Sequence, residues 1–392
     1  MKKIFILIFA SLLSSQGLVF SQQKVWSLEE CVKYAIDHNI TIKQQVILTK
    51  VQQNSLDLAK FQLLPSLNGQ ASYSVSSGRA LDQSTYTFVN KTLQSDYFYI
   101  GGQMPIFNGL QNYNNIQKNK YLVLSSQQDL QNISDNIALN VALAYLQILL
   151  NKELVAANEN KLNITSQQIQ KTQKLVDAGS VAKGNMLQIQ AQAAQEELSL
   201  ITQKNLLESS VLILTQFLEL QTPACFEIVA PEINVDPNAI VSGNIDDIFA
   251  IAQKNRPEVK SSELKLTASE YSLKMAKGGR SPQLSLNYSY NARYSNPSNL
   301  PGDQSFVGQL KTSKSPGVGL TLNIPIVNGW QVNKNISNSK LSVESNEYNL
   351  EGTKKQLYKS IQQAYTDAVA SLKKFNVSIK AIASTEESFR YT

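Results

Sequence analysis

The sequence contains little of the side-chain chemistry on which most enzymes and metal sites depend. Its 392 residues include one histidine, His38, and two cysteines, Cys31 and Cys225. It has no His, Cys and carboxylate cluster at metal-ligand spacing, no glycine-rich phosphate loop after a strand and no Gly-x-Ser-x-Gly motif. His38 falls at helical spacing, which favours a solvated or packed side chain over a base or a ligand. We therefore expect no enzyme activity, no cofactor and no metal.

The two cysteines lie far apart in the sequence, so spacing gives no support for a disulfide, although an exported protein would permit one. Cys31 fits better as a small apolar residue on a helix face. The adjacent carboxylates Glu29-Glu30 and Asp246-Asp247 each fall in the first turn of a predicted helix, where negative charge is favourable. We interpret them as helix-start signals.

Helix breakers, clustered charge and long apolar runs are also scarce. Only 17 glycines and 11 prolines interrupt the chain, which favours long elements. The net charge of +6 comes from scattered basic residues, without the clustered Lys, Arg and aromatic residues that would indicate a nucleic-acid partner. One apolar run, Ile4 to Leu13, follows Lys2 and Lys3 and predicts a secretory signal peptide over residues 1–21. It is too short for a membrane anchor, so a membrane-spanning form would have to use strands.

What the sequence does contain is a strand pattern that occurs twice, in residues 63–109 and 280–329. Apolar and uncharged polar side chains alternate, a two-residue period that only a strand supports. Each copy continues through a polar loop and a second strand to a closing Pro-Ile-x-Asn-Gly. Such a two-faced hairpin fits a soluble core as well as lipid around a wet lumen. Its apolar positions are Leu67, Gly69, Ala71, Tyr73 and Val75, then Leu284, Leu286, Tyr288, Tyr290 and Ala292.

Long helices flank the hairpins. The first begins at Ser27, which forms a capping box with Glu30, and is predicted to run to Pro65. Residues 110–178 contain no Gly or Pro and predict a rod on the order of 100 Å long with one apolar stripe. Gly179 supplies a stop signal, and another helix follows over residues 182–220. These features predict antiparallel coiled-coil hairpins, in which the two shorter helices stack end to end along the rod.

The order of helix, hairpin and long helix is duplicated. Residues 245–252 align with residues 28–35 at a separation of 217, and Pro325 aligns with Pro105 at a separation of 220. Because the second copy lacks a counterpart of the last part of the first, we expect the chain to be truncated at its C-terminal end. The predicted organisation is a signal peptide (1–21), a first repeat (22–220), a proline-containing linker (221–244) and an incomplete second repeat (245–392).

Taken together, these features resemble the TolC-like outer membrane efflux family. No single motif is specific, but their order and spacing cover essentially the whole mature chain. They are the Trp26-Ser-Leu-Glu-Glu-Cys-Val-Lys-Tyr-Ala35 start, the Leu64-Pro65-Ser66-Leu67 strand entry, the Pro-Ile-x-Asn-Gly exits, the Ala178-Gly179 tip with Leu187 beyond it, and the duplication.

The resemblance implies a mainly α fold with a transmembrane β part. Three protomers would each give four strands, at about residues 66–76, 94–104, 283–293 and 315–325, to one barrel that paired helices continue across the periplasm. Apolar strand faces would meet lipid and polar faces the lumen, with residues 77–93 and 294–314 as outer loops. The implied lipid-facing positions are Leu67, Ala71, Tyr73, Val75, Leu284, Leu286, Tyr288, Tyr290, Leu320 and Leu322.

The resemblance also implies partners. These are two further copies in a homotrimer, outer membrane lipid, a periplasmic adaptor protein and an inner-membrane pump. The implied adaptor-contact tip comprises Ala178, Gly179, Ser180, Val181 and Leu187. In this family the closed aperture is largely built by the second helical tip. This sequence lacks a counterpart of that tip, so the resemblance assigns no gating residue.

The function implied is the outer membrane channel component of a tripartite efflux or type I secretion system, a passive trimeric duct. A periplasmic coiled-coil adaptor or scaffold without a barrel is the main alternative, and a surface adhesin is another. The scaffold is disfavoured because the apolar strand faces would lack a core. The sequence does not specify whether a drug, a metal ion or a polypeptide is transported, nor which pump and adaptor take part.

Overall fold

A computed structural model describes residues 25–82, 86–90, 92–221, 226–231, 243–296 and 305–391. The predicted signal peptide, Cys225 and parts of the predicted linker and outer loops lie outside these ranges. The elements in chain order are β1 (Val25–Trp26), α1 (Leu28–His38), α2 (Ile40–Phe61), β2 (Asn68–Ser76), β3 (Arg79–Asp82), β4 (Thr87–Asn90), β5 (Leu93–Phe107), α3 (Gln111–Asp177), α4 (Lys183–Phe217), β6 (Glu227–Ile228), α5 (Ile245–Asn255), α6 (Pro257–Gly278), β7 (Gln283–Asn296), α7 (Phe306–Thr312), β8 (Ser315–Asn323) and α8 (Gln331–Tyr391).

The four predicted strands are present as β2, β5, β7 and β8, which form one antiparallel sheet in that order. The predicted mainly α fold with a β part is confirmed, and α3 and α4 begin and end close to the predicted positions. Three features within the predicted loops and linker were not expected. β1 pairs in parallel with β6, β3 pairs with β4 inside residues 77–93, and α7 lies inside residues 294–314.

The prediction of one continuous helix from Ser27 to Pro65 is wrong, because the helix is divided at Asn39. The capping box is present: Glu30 N donates to Ser27 Oγ at 3.2 Å and Ser27 N donates to Glu30 Oε2 at 3.0 Å. Asn39 then leaves helical geometry with ψ 131°, and its Oδ1 accepts from Thr41 N at 2.9 Å. Its Nδ2 donates to the carbonyl oxygen of Phe217 at 3.1 Å. Asn39 therefore joins three helix ends, since it also brings the end of α4 against the break.

The duplication is visible in the backbone. The break at Asn39 recurs at Arg256, its counterpart in the second repeat, where ψ is 130° and Pro257 starts the next helix. Gly109 and Leu110 both have positive φ (65° and 61°), and so do their counterparts Gly329 and Trp330 (57° and 62°). The two repeats thus share their unusual turns as well as their helices and strands.

The described residues fall into two compact units by contact, and each has its own core. One comprises residues up to 45 together with those from 132 to 231. Its core contains Tyr145, Leu214, Leu218 and Cys31, each no more than 1% exposed. The Tyr145 hydroxyl lies within hydrogen-bond reach of the Trp26 and Val229 carbonyl oxygens, which fixes the β1–β6 pair against α3. Cys31 lies on α1 and is buried, which agrees with its predicted role as a small apolar residue on a helix face.

The other unit comprises residues 46–131 and the described residues from 243 onward, and it contains the sheet. Here α6 packs between α3 and α8. Towards α3, Ser261 Oγ lies 3.0 Å from Ser125 Oγ, and Lys265 forms a 2.9 Å ion pair with Asp129. Towards α8, Ser262 Oγ lies 3.2 Å from Thr353 Oγ1.

Candidate functional site: a two-faced sheet and a helical tip

The strand register places the predicted apolar positions on one face of the sheet. Directly paired residues share a face, and the pairs Ile100–Tyr290, Met104–Leu286 and Leu286–Leu320 are all apolar. At one end of this face Phe306 of α7 packs against Phe98, with ring centres 6.1 Å apart. Further along, the face is open to solvent, and Val318 and Leu320 are 80% and 65% exposed. Leu67 lies one residue before β2 and is also exposed. In the strands, this face carries Ala71, Tyr73, Val75, Phe98, Ile100, Met104, Leu284, Leu286, Tyr288, Tyr290, Ala292, Val318, Leu320 and Leu322.

Two adjacent glycines in β5 let aromatic side chains lie across the sheet. A Cβ at Gly102 would lie 2.9 Å from the Tyr288 hydroxyl, which donates across β5 to the Ser66 carbonyl oxygen. A Cβ at Gly101 would lie 2.5 Å from the Tyr99 hydroxyl. Because neighbouring residues point to opposite faces, each tyrosine covers one glycine on its own face.

The opposite face carries uncharged residues, mostly Asn, Gln, Ser, Thr, Tyr and Gly, and a single charged one, Arg293. Arg293 pairs with Tyr97, and its guanidinium carbon lies 5.6 Å from the centre of that ring. The Tyr97 hydroxyl donates to Asn291 Oδ1 at 2.8 Å. The prediction of a wholly uncharged polar face is therefore wrong at this end, and that of a wholly apolar opposite face is wrong at Asp96, which pairs with Tyr294.

The helix α7 covers the edge of β7 where β8 has ended. Gln309, which is 4% exposed, accepts from Ser295 N at 3.0 Å through Oε1 and donates to Ser295 O at 3.1 Å through Nε2. Ser313 Oγ likewise accepts from Arg293 N at 2.9 Å and donates to Arg293 O at 2.7 Å. These side chains replace a neighbouring strand, which protects an edge that would otherwise be open to pairing.

The predicted tip is the turn between α3 and α4. Gly179 has φ 75°, and Ser180 N donates to Leu175 O at 2.9 Å, which is a glycine-terminated helix end. A Cβ at Gly179 would meet nothing within 4 Å. Ala178, Gly179, Ser180 and Leu187 are exposed and Val181 is half-buried. The structure brings the first four tip residues together in one turn, with Leu187 in the first turns of α4.

Below the tip, α3 and α4 bury polar side chains between them. Glu196 of α4 is 5% exposed, and its Oε1 lies 3.6 Å from Lys161 Nζ on α3. Hydrogen bonds from Thr165 and Gln192, with a smaller contribution from Lys161, lower the pKa of the Glu196 carboxyl below its usual 4.5. A buried polar residue at a helix–helix seam fixes the register of the pair.

We expect Glu196→Gln to reduce the acid sensitivity of the protein. A carboxyl whose pKa is lower in the folded state stabilises it above the unfolded value, and this stabilisation is lost as the pH falls through the folded value. The melting temperature of the wild type should therefore fall more steeply than that of E196Q as the pH drops below the ordinary carboxyl value of 4.5. Glu197→Gln, at the exposed neighbouring position, is the matched control and should follow the wild type. Parallel curves for E196Q and wild type would contradict this assignment.

Other potential sites are few in the described part of the chain. No group of three or more His, Cys, Asp or Glu residues there could hold a metal ion. His38 stacks on the Tyr34 ring at 3.9 Å between centres, as expected for a packed side chain. One helix, α3, contains a window apolar enough to cross a membrane by length and composition alone, with a mean hydropathy of 1.4. At 67 residues α3 is far longer than a membrane span of about 20.

Comparison with known proteins agrees with this architecture. The sequence profile described as outer membrane efflux protein matches residues 32–218 and 249–392. Outer membrane efflux protein BepC of Brucella suis biovar 1 (strain 1330) is 21% identical over 342 residues, which is 85% of this chain and 68% of BepC. The outer membrane protein VceC of Vibrio cholerae superposes with a TM-score of 0.75 at 15% identity, over 93% of this chain and 84% of VceC. The CmeC outer membrane channel of Campylobacter jejuni gives 0.68 at 18%, over 92% and 76%. The chain therefore belongs to the outer membrane efflux protein family, as an outer membrane channel component with its helical part in the periplasm.

Proposed function

We propose that the protein is a passive trimeric duct through the outer membrane and periplasm, and that an adaptor and an inner-membrane pump deliver its cargo. The observation that carries this proposal is the four-stranded sheet with one apolar face, one polar face and two unpaired edge strands of nine residues, β2 and β8. Four strands cannot close a barrel alone. Three copies would bring twelve strands, enough to enclose an aqueous lumen.

The height of the apolar face fits a membrane. From Leu284 to Ala292 the face spans eight residue steps along β7. At ~3.4 Å per residue and a strand tilt of ~40°, this is about 21 Å, close to the ~25 Å apolar band of outer membrane barrels. Asp96 pairs with Tyr294, just beyond this band, at the level where a headgroup layer would begin. These dimensions support lipid contact at the predicted lipid-facing positions.

The duplication suggests how one copy would pair with the next. Within the chain, β5 of the first repeat pairs with β7 of the second, with Gly101 opposite Ser289 and Ile100 opposite Tyr290. The repeat counterparts of β5 and β7 are β8 and β2. The same register between copies places Thr321 opposite Ser72 and Leu320 opposite Tyr73 of a neighbour. Polar positions then meet polar ones and apolar positions meet apolar ones.

The exposed side of α2 also supports pairing between neighbouring copies. Lys265 and Gly278 of α6 contact α3 and the turn before it. Their first-repeat counterparts on α2, Leu48 and Phe61, are 57% and 63% exposed. An apolar side that is solvent-exposed on α2 therefore corresponds to a side that is packed on α6. A neighbouring copy whose α8 takes the place of α3 would cover it.

The adaptor is proposed to bind at the exposed turn of the α3–α4 hairpin. The turn is closed by its own hydrogen bonds and leaves open space around Gly179. This supports a docking surface formed by Ala178, Gly179, Ser180 and Val181, with Leu187 as an exposed apolar contact on α4.

Disulfide cross-linking between β8 and β2 tests the duct. In a chain carrying Cys31→Ala and Cys225→Ala, we expect Thr321→Cys with Ser72→Cys to produce covalent dimers and trimers in outer membranes on non-reducing gels. Within one chain two strands separate β2 from β8, which is roughly 14 Å at ~4.8 Å per strand and too far for a disulfide.

Two controls make the result specific for this register. Either cysteine alone should leave the chain monomeric on the gel. Thr321→Cys with Ser76→Cys, displaced by four residues or roughly 13 Å, should cross-link far less. Monomers in every case, together with release of the protein with the soluble periplasm, would instead support the scaffold.

A further inference from the structure

We propose that Arg293 forms a cationic ring at the outer mouth of the duct, which raises the permeability of anions relative to cations there. This inference rests on the proposed trimeric duct, in which each copy would contribute one guanidinium to the lumen. It concerns the selectivity of the passage and assigns a role to a residue that the strand pattern did not reveal.

The first observation is that the charge is isolated. Arg293 is the only charged side chain on the polar face of the four strands. It is exposed, and among the described residues no carboxylate lies within ion-pair distance of it. Asp96, one step away in the register, belongs to the opposite face. An otherwise neutral wall makes a single cationic level the dominant charge that a passing ion meets.

The second observation is that the side chain is held in place. Its guanidinium lies against the Tyr97 ring, a cation–π contact, and the Tyr97 hydroxyl is fixed by Asn291. Ser313 Oγ accepts a hydrogen bond from the backbone N of Arg293 and donates one to its carbonyl oxygen. Because the ring contact already restricts the guanidinium, we expect its charge to keep its position on the barrel wall when cargo passes.

The position lies near one end of the barrel. Arg293 follows the last β7–β8 pair, Asn291 with Ser315, and precedes the loop predicted to face outside. Three copies related by a threefold axis would place three guanidinium groups at one level. Rings of Arg or Lys side chains favour anions in pores because their charge attracts anions and repels cations.

Ion selectivity in planar lipid bilayers tests the proposal on the full-length trimer. The ratio of chloride to potassium permeability, taken from the reversal potential across a KCl gradient, should fall by about twofold or more in Arg293→Gln. It should fall further in Arg293→Glu. Arg293→Lys, which keeps the charge, should stay close to the wild type.

Lys311→Gln is the matched control. It also removes one positive charge near the same end of the sheet, but from α7, which covers the edge of β7. Its permeability ratio should equal that of the wild type. An unchanged ratio in Arg293→Glu, or an equal fall in Lys311→Gln, would overturn the role of Arg293. Absence of channels in the wild type would refute the duct itself, so the two failures are distinguishable.

Discussion

Leu286→Arg is expected to prevent the protein from accumulating as a folded trimer in the outer membrane. Leu286 pairs with Met104 on one side and Leu320 on the other, within the apolar face. An Arg on a barrel's lipid face costs about 2–4 kcal/mol at the midplane and less towards the interfaces. Leu286 lies one strand pair from the centre of the band, and three copies multiply the cost. The measurement is the amount of heat-modifiable trimer in the outer membrane fraction.

Ser285→Arg is the matched control, because it places the same side chain one residue away on the polar face. Ser285 pairs with Pro105 and Thr321, so its Arg would project towards the proposed lumen, where charge is tolerated. Leu286→Ala shows how much of the loss comes from removing the leucine alone, and it should assemble close to wild-type levels. If both Arg variants assembled equally well, the apolar face would not contact lipid.

The alternating pattern predicts the four strands, because successive side chains of a strand point to opposite faces. The strand positions, the two faces and the tip turn were therefore available from the order of residues alone. The ends were harder to predict. β7 continues three residues past the predicted end, to Asn296, because Gln309 and Ser313 supply the hydrogen bonds that β8 no longer provides. Gln309 and Ser313 lie 14 and 20 residues beyond the β7 residues that they bond, within residues 294–314, which the sequence predicts as a loop.

The helical period does not predict the break at Asn39. Apolar residues recur at helical spacing on both sides of it, so the period alone predicts continuity. The second repeat did hold a signal, since Pro257 cannot continue a helix that starts at Ile245 without a break or a kink. Transferring that break to the aligned position of the first repeat would have located Asn39. Its bond to Phe217 O, in contrast, joins residues 178 positions apart and has no local signal.

The same distinction between local sequence signals and long-range contacts applies to the functional site. The two-residue period predicts the apolar positions. Arg293 lies within the predicted strand 283–293, but the predicted polar positions end at Asn291, so the pattern assigned no role to this charge. Its contact with Tyr97 depends on the pairing of β5 with β7, two strands that belong to different repeats. The sequence predicts faces, and the register decides which side chains on those faces meet.

Gly109→Ala is the second large effect that we expect, and it concerns the turn from β5 into α3. Gly109 has φ 65°, and a Cβ there would lie 2.4 Å from the Gly278 carbonyl oxygen and 2.6 Å from Ser281 Cβ. The substitution therefore combines left-handed strain, about 1–2 kcal/mol, with a backbone clash that the helix end cannot avoid. We expect a total loss of several kcal/mol, seen as a large fall in the temperature at which the trimer dissociates on gels.

Two further variants separate the two causes. Gly179→Ala has a comparable φ of 75° but meets nothing within 4 Å, so it should show the strain alone and cost about 1–2 kcal/mol. Gly278→Ala keeps helical geometry, but its Cβ would lie 2.4 Å from the Gly109 carbonyl oxygen, so it should show the clash alone. Gly109→Ala should then be less stable than either. If Gly278→Ala were as stable as the wild type, the two turns would not approach closely. The first repeat's strand-to-helix turn would then not be locked against the second repeat's helix-to-strand turn, and the sheet would lose its fixed position on α3 and α6.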